Sequence, residues 1–82
     1  MVENNKILVT VKLFADFRKF GPDKSNIEFT KGSSITTILE NYNIPTEKTK
    51  MIILVNGKPI YDRQSVLNDG DTVALFPPLA GG

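Results

Sequence analysis

The chain has no cysteine and no histidine. Without cysteine it can form no disulfide, offers no thiol nucleophile and supplies no thiolate metal ligand. Without histidine it lacks the commonest general base and the commonest metal ligand. The two absences together remove Ser-His and Cys-His nucleophile arrangements. An excess of one charge is also missing: ten Lys and Arg against nine Asp and Glu leave a formal charge of +1. That balance carries none of the electrostatic footprint of a domain that binds DNA or RNA. No stretch approaches the ~20 apolar residues that a membrane span requires. No apolar run near Met1 resembles a signal peptide. The expectation is a cytoplasmic protein that engages neither nucleic acid nor membrane.

What remains is modest. Eighty-two residues make one domain with a single small core. The carboxylates fall in no recognisable motif and mostly stand beside turn residues or lysines, so they read as solvated surface, and no metal site is expected.

Residues 7–14 are rich in β-branched side chains and read as a strand. Period 2 puts Ile7, Val9, Val11 and Leu13 on one face, which should be core. Leu8, Thr10, Lys12 and Phe14 take the other face. Phe17 and Phe20 stand three apart, so one irregular or helical turn can dock both. Gly21-Pro22-Asp23 signals a turn, and residues 26–29 alternate as a second strand with Ile27 and Phe29 inward.

Ser34 is a good N-cap for a helix over about 35–43, with Ile35, Ile38, Leu39 and Tyr42 forming one apolar stripe. Pro45 ends it. Residues 51–55 are apolar on both parities, as in a strand covered on both sides or lying beside a partner surface. Asn56-Gly57 marks a tight turn into a short edge strand, 58–61, where Pro59 is tolerated. Residues 62–67 suit one helical turn with Val66 and Leu67 buried. After the turn at Asn68-Asp69-Gly70-Asp71, residues 72–76 form the last strand. The order of elements gives a two-layer α+β domain over 1–76.

The strand parity bears on docking. If Val11, Leu13, Val73 and Leu75 face the helix, Phe14 and Phe76 face away. Should the first and last strands be neighbours, two phenylalanines would flank the root of the segment after residue 76. An exposed apolar patch there is a docking surface by expectation.

That segment is Pro77-Pro78-Leu79-Ala80-Gly81-Gly82. The prolines fix φ and donate no hydrogen bond, so they leave the sheet in extended geometry. The two glycines carry no Cβ and can thread a channel too narrow for side chains. Residues 77–82 read as a flexible tail whose Gly82 carboxylate is ionised near neutral pH. A carboxylate is a poor electrophile. To carry an acyl group it must first be activated, for example by adenylation.

Several stretches together resemble the molybdopterin synthase small subunit and its ubiquitin-like sulfur-carrier relatives. Leu13-Phe14-Ala15 with Arg18 is similar to the start of that family. Gly32 to Leu39 is similar to its helix entry, and Val55-Asn56-Gly57 to its hairpin. Residues 67–78 with the closing Gly81-Gly82 are similar to its ending. The thiamine-pathway carriers share the fold and the paired glycines but typically lack the Phe-Pro-Pro exit.

The resemblance implies a ubiquitin-like β-grasp fold. This is a mixed sheet of four to five strands with one crossing helix, its first and last strands parallel and adjacent. It implies that an E1-like adenylating enzyme uses ATP and Mg²⁺ to activate Gly82, and that the acyl-adenylate becomes a thiocarboxylate. It implies delivery of that sulfur to a pterin precursor in the molybdopterin synthase large subunit. The chain would bind no cofactor itself and act as a non-catalytic, sulfur-donating small subunit. Gly81 and Gly82 are its reacting end. Phe14, Ile60, Phe76, Pro77, Pro78 and Leu79 are its partner-binding residues. Pro59 departs from the open-chain aliphatic residue more usual in the family. Conjugation of Gly82 to lysines of other proteins and thiamine-pathway sulfur transfer are the alternative uses of the same end.

Overall fold

A computed structural model describes residues 5–45 and 50–78. The strands are β1 (Lys6–Leu13), β2 (Lys24–Thr30), β3 (Ile52–Val55), β4 (Lys58–Pro59) and β5 (Thr72–Phe76), with one α-helix, α1 (Ile35–Asn41). They form one five-stranded sheet in the order β2-β1-β5-β3-β4. The central pair, β1 and β5, is parallel, and the other three pairings are antiparallel.

The expected parity of β1 holds: Ile7, Val9, Val11 and Leu13 are buried. They pack with Val73, Leu75, Ile53 and Phe29 beneath Ile35, Ile38 and Leu39 of α1. A helix this short has too few internal bonds to persist alone, so the buried stripe holds it in place. A 3-10 helix, Ala15–Phe20, follows β1 and docks both phenylalanines. Phe17 is buried, and Phe20 meets it edge to face at 5.8 Å.

The ends of α1 arise from local chemistry. Ser34 is the N-cap, and its N–H donates to Thr37 Oγ1 at 3.1 Å. The helix is closed just beyond its end by Asn43, which takes φ 59°. Asn43 N–H then donates to the Glu40 carbonyl (3.1 Å) and Ile44 N–H to the Leu39 carbonyl (2.9 Å). This is a Schellman closure, with Ile44 buried behind it.

Residues 62–67 differ from expectation. They form no helical turn: a turn at Arg63 and Gln64 leads into an extended bridge between Val66 and Ser34. The reason lies in the helix beside them. The carbonyls of Ser65 and Arg63 accept the N–H groups of Ile35 and Thr36, donors that α1 cannot satisfy internally. An extended segment alternates its side chains, so Leu67 is buried while Val66 is 61% exposed.

The hairpin between β3 and β4 turns at Asn56 (φ 52°) and Gly57 (φ 83°), the paired left-handed geometry that an Asn-Gly turn supplies. Asn56 also reaches the segment before β5. Its Nδ2 donates to Asp71 Oδ1 (2.9 Å), and its Oδ1 accepts from Thr72 N–H (2.9 Å). Asp71 Oδ2 accepts from Asn68 N–H at 2.8 Å. Asp71 is the one buried charged residue among the described residues, and these bonds satisfy both of its oxygens.

Candidate docking face at the strand exit

The parallel register places Leu13 beside Leu75, so the next residue of each strand emerges at the same level. Phe14 N–H donates to the Leu75 carbonyl at 3.1 Å and extends the ladder by one bond. Both leucines point to the core, so Phe14 and Phe76 both point to the opposite face. There the rings stack, centroids 4.3 Å apart and planes 11° from parallel. Phe14 remains 37% exposed, and Phe76 is half-buried. The two phenylalanines singled out from parity are thus brought together.

On the far side of Phe76 stands Ile52, its partner in the β3–β5 register, 44% exposed. One row further, Ala74 pairs with Leu54, and Leu54 with Pro59. The result is a continuous apolar surface of Phe14, Phe76, Ile52, Leu54 and Pro59 that the chain's helix does not cover. Tyr61, 92% exposed, stands at its edge. A shallow depression of about 310 Å³ lies between β3 and the segment after β4, lined in part by Ile52, Leu54, Pro59 and Tyr61.

Ile60 lines the same depression and is half-buried. It packs against the core, with its N–H donating to the Ile53 carbonyl at 2.9 Å. Ile52, Leu54 and Tyr61 were not singled out from sequence. The signal for the first two was the apolar run over 51–55: of the two alternatives it left open, the structure leaves one face of β3 uncovered by this chain.

Pro77 is half-buried and Pro78 exposed, directly after β5. Leu79, Gly81 and Gly82 lie outside the described residues. Among the described residues no cluster of three or more His, Cys, Asp or Glu could hold a metal ion, and no helix is long and apolar enough to cross a membrane. The described part of the chain therefore offers an apolar face beside the exit of β5.

The ThiS family model matches residues 11–82, which spans the 3-10 helix, the whole sheet beyond the start of β1, and the residues after β5. Among solved structures, a Pyrococcus furiosus protein provisionally assigned as molybdopterin converting factor, subunit 1, is 30% identical. That match covers 89% of this chain and 99% of the other, with a TM-score of 0.73. A chain in the complex of subunits 1 and 2 of molybdopterin-converting factor from Helicobacter pylori is 25% identical, covering 93% of this chain and 100% of its own, with a TM-score of 0.63. Small archaeal modifier protein 1 from Methanosarcina acetivorans shares the fold at 23% identity, with 96% of this chain and 100% of that chain covered and a TM-score of 0.66. No curated protein matches the chain. With a ubiquitin-like β-grasp sheet, a family match over most of its length and a close structural likeness to molybdopterin converting factor subunit 1, the chain belongs to the ThiS family of ubiquitin-like sulfur carriers.

Proposed function

We propose that this sulfur carrier serves molybdopterin or tungstopterin synthesis and that its reacting group is the Gly82 carboxylate. The observation that carries the reading is the stacked Phe14–Phe76 pair at the head of the strand that runs into Pro77-Pro78. A docking face set at the root of the exit lets a partner grip the domain and receive the chain end together. The Phe-Pro-Pro exit and the 30% identity to the Pyrococcus furiosus protein favour the pterin pathway over the thiamine pathway.

The chemistry starts from the weakness of a carboxylate as an electrophile. An E1-like adenylating enzyme, with ATP and Mg²⁺, lets the Gly82 carboxylate attack the α-phosphorus, and pyrophosphate leaves. A sulfur nucleophile then displaces AMP from the acyl-adenylate and leaves a thiocarboxylate. Gly81 and Gly82 pass the active-site channel because no side chain widens them. Phe14, Phe76, Pro77, Pro78 and Leu79 contact the partner. Ile60, beside Pro59 in the same depression, contacts the partner as well. The molybdopterin synthase large subunit is the acceptor; subunits 1 and 2 of the Helicobacter pylori factor form such a complex.

The test is the intact mass of the chain after incubation with the E1-like enzyme of its own organism, ATP, Mg²⁺ and a sulfide source. Replacement of one oxygen by sulfur, absent when ATP is omitted, is the expected result. The charged carrier should then convert a pterin precursor with the large synthase subunit. Activation without sulfur exchange, together with Gly-Gly remnants on lysines of cellular proteins, would instead assign the chain to protein modification.

A further inference from the structure

Beside Phe14 the outer face changes character. A depression of about 420 Å³ is lined by Lys12, Phe14, Arg18, Asp23 and Lys24. It brings together three cations and one carboxylate. Lys12 and Lys24 face each other directly in the β1–β2 register. Like charges directly opposite across a strand pair destabilise a sheet. Arg18 reaches the same depression from the 3-10 helix and is exposed. Among the described residues, none of the three cations makes an ion pair. No ion pair among the described residues offsets the repulsion between Lys12 and Lys24.

We infer that the rim formed by Lys12, Arg18 and Lys24 is a recognition element for an acidic surface segment of the E1-like adenylating enzyme. This inference rests on the proposed function, in which that enzyme docks on the Phe14–Phe76 face. The rim is continuous with that face through Phe14, which belongs to both. Apolar burial at the centre of such an interface supplies affinity but discriminates poorly between partners. Charges at its edge supply orientation, partner choice and association rate. Carboxylates presented to Lys12 and Lys24 also offset the repulsion between them, a gain available only in the complex. Protein is favoured over nucleic acid because the chain as a whole carries a charge of only +1 and the rim adjoins an apolar patch.

The experiment measures affinity and association rate of the full chain for the adenylating enzyme of its own organism. Ionic strength runs from about 0.01 M to about 1 M, over which the screening length falls from about 30 Å to about 3 Å. Wild-type association should slow by at least about tenfold across that range. Lys12→Glu should weaken binding about tenfold at low salt and flatten the salt dependence. Its melting temperature should stay level or rise, because an opposite-charge pair with Lys24 replaces a like-charge one. Arg18→Glu and Lys24→Glu should weaken binding similarly.

Phe76→Ala serves as the reference. If it abolishes binding while all three charge variants bind as wild type at every salt concentration, the rim has no recognition role and the docking face stands. If wild type itself does not bind the enzyme, the functional reading falls and the inference with it. Binding of a single-stranded RNA oligonucleotide that is lost in Lys12→Glu, with enzyme binding unchanged, would overturn the inference in favour of a nucleic-acid contact.

Discussion

Phe14 and Phe76 stack with centroids 4.3 Å apart on the face of the sheet opposite the helix, 62 positions apart in sequence and one step beyond a paired leucine on each strand. Neither ring is needed to fill the core. An aromatic pair left at the surface, at the point where the chain leaves the sheet, is the kind of anchor that dominates binding energy.

Replacing Phe76 with alanine should therefore weaken binding of the adenylating enzyme by about 1–3 kcal/mol. In a double-mutant cycle with Phe14→Ala, the two positions should couple by about 0.5–1.5 kcal/mol in stability, the worth of a stacked pair beyond its buried area. Titration calorimetry reads the first and thermal unfolding the second. Unchanged affinity would remove Phe76 from the interface.

The chain end should behave in the opposite way. Gly82→Ala, or one residue appended after Gly82, should abolish or strongly reduce sulfur loading in the mass assay. The melting point should not move beyond what a neutral surface change gives, within about 0.5 kcal/mol. Full loading of the extended chain would show that the reacting group is not the Gly82 carboxylate.

Asp71 ties the hairpin turn to the last strand through Asn56 Nδ2 and Asn68 N–H. Asp71→Ala leaves both donors without their acceptor and should cost about 2–3 kcal/mol in denaturant unfolding. Asp71→Asn keeps one acceptor oxygen and should cost less. A loss below about 0.5 kcal/mol for alanine would mean that solvent replaces the carboxylate without penalty.

The hydroxyl of Tyr42 is buried and has no hydrogen-bond partner among the described residues. Its ring lies against Gly21, where an added Cβ would stand 3.0 Å from Tyr42 Cε1. Tyr42→Phe keeps the ring and removes the unsatisfied group, so it should leave stability unchanged or raise it by up to about 1 kcal/mol. A clear fall in melting temperature would show that the hydroxyl is satisfied after all, for instance by an ordered water.

Much of this architecture is legible in the sequence, and the legible parts share a cause. The alternation in β1, the stripe on α1, the Asn-Gly turn and the outward parity of Phe14 and Phe76 are all set by local period and local backbone preference. The features that sequence reading missed depend on partners distant in the chain. Residues 62–67 look able to turn helically, but their carbonyls are taken by the first amides of α1. Ile52 becomes part of the docking surface only because β3 lies antiparallel to β5 at the level of Phe76.

The place of β5 in the sheet matters for synthesis. It is the third strand of five, between β1 and β3, yet it is the last of them to be made. Until residues 72–76 are available, β1 and β3 have no neighbour in common and the Phe14 ring has nothing to stack on. Such non-local pairing is intrinsically slow. On the proposed function, a chain whose last strand has not yet paired would present no finished face to the partner that docks there.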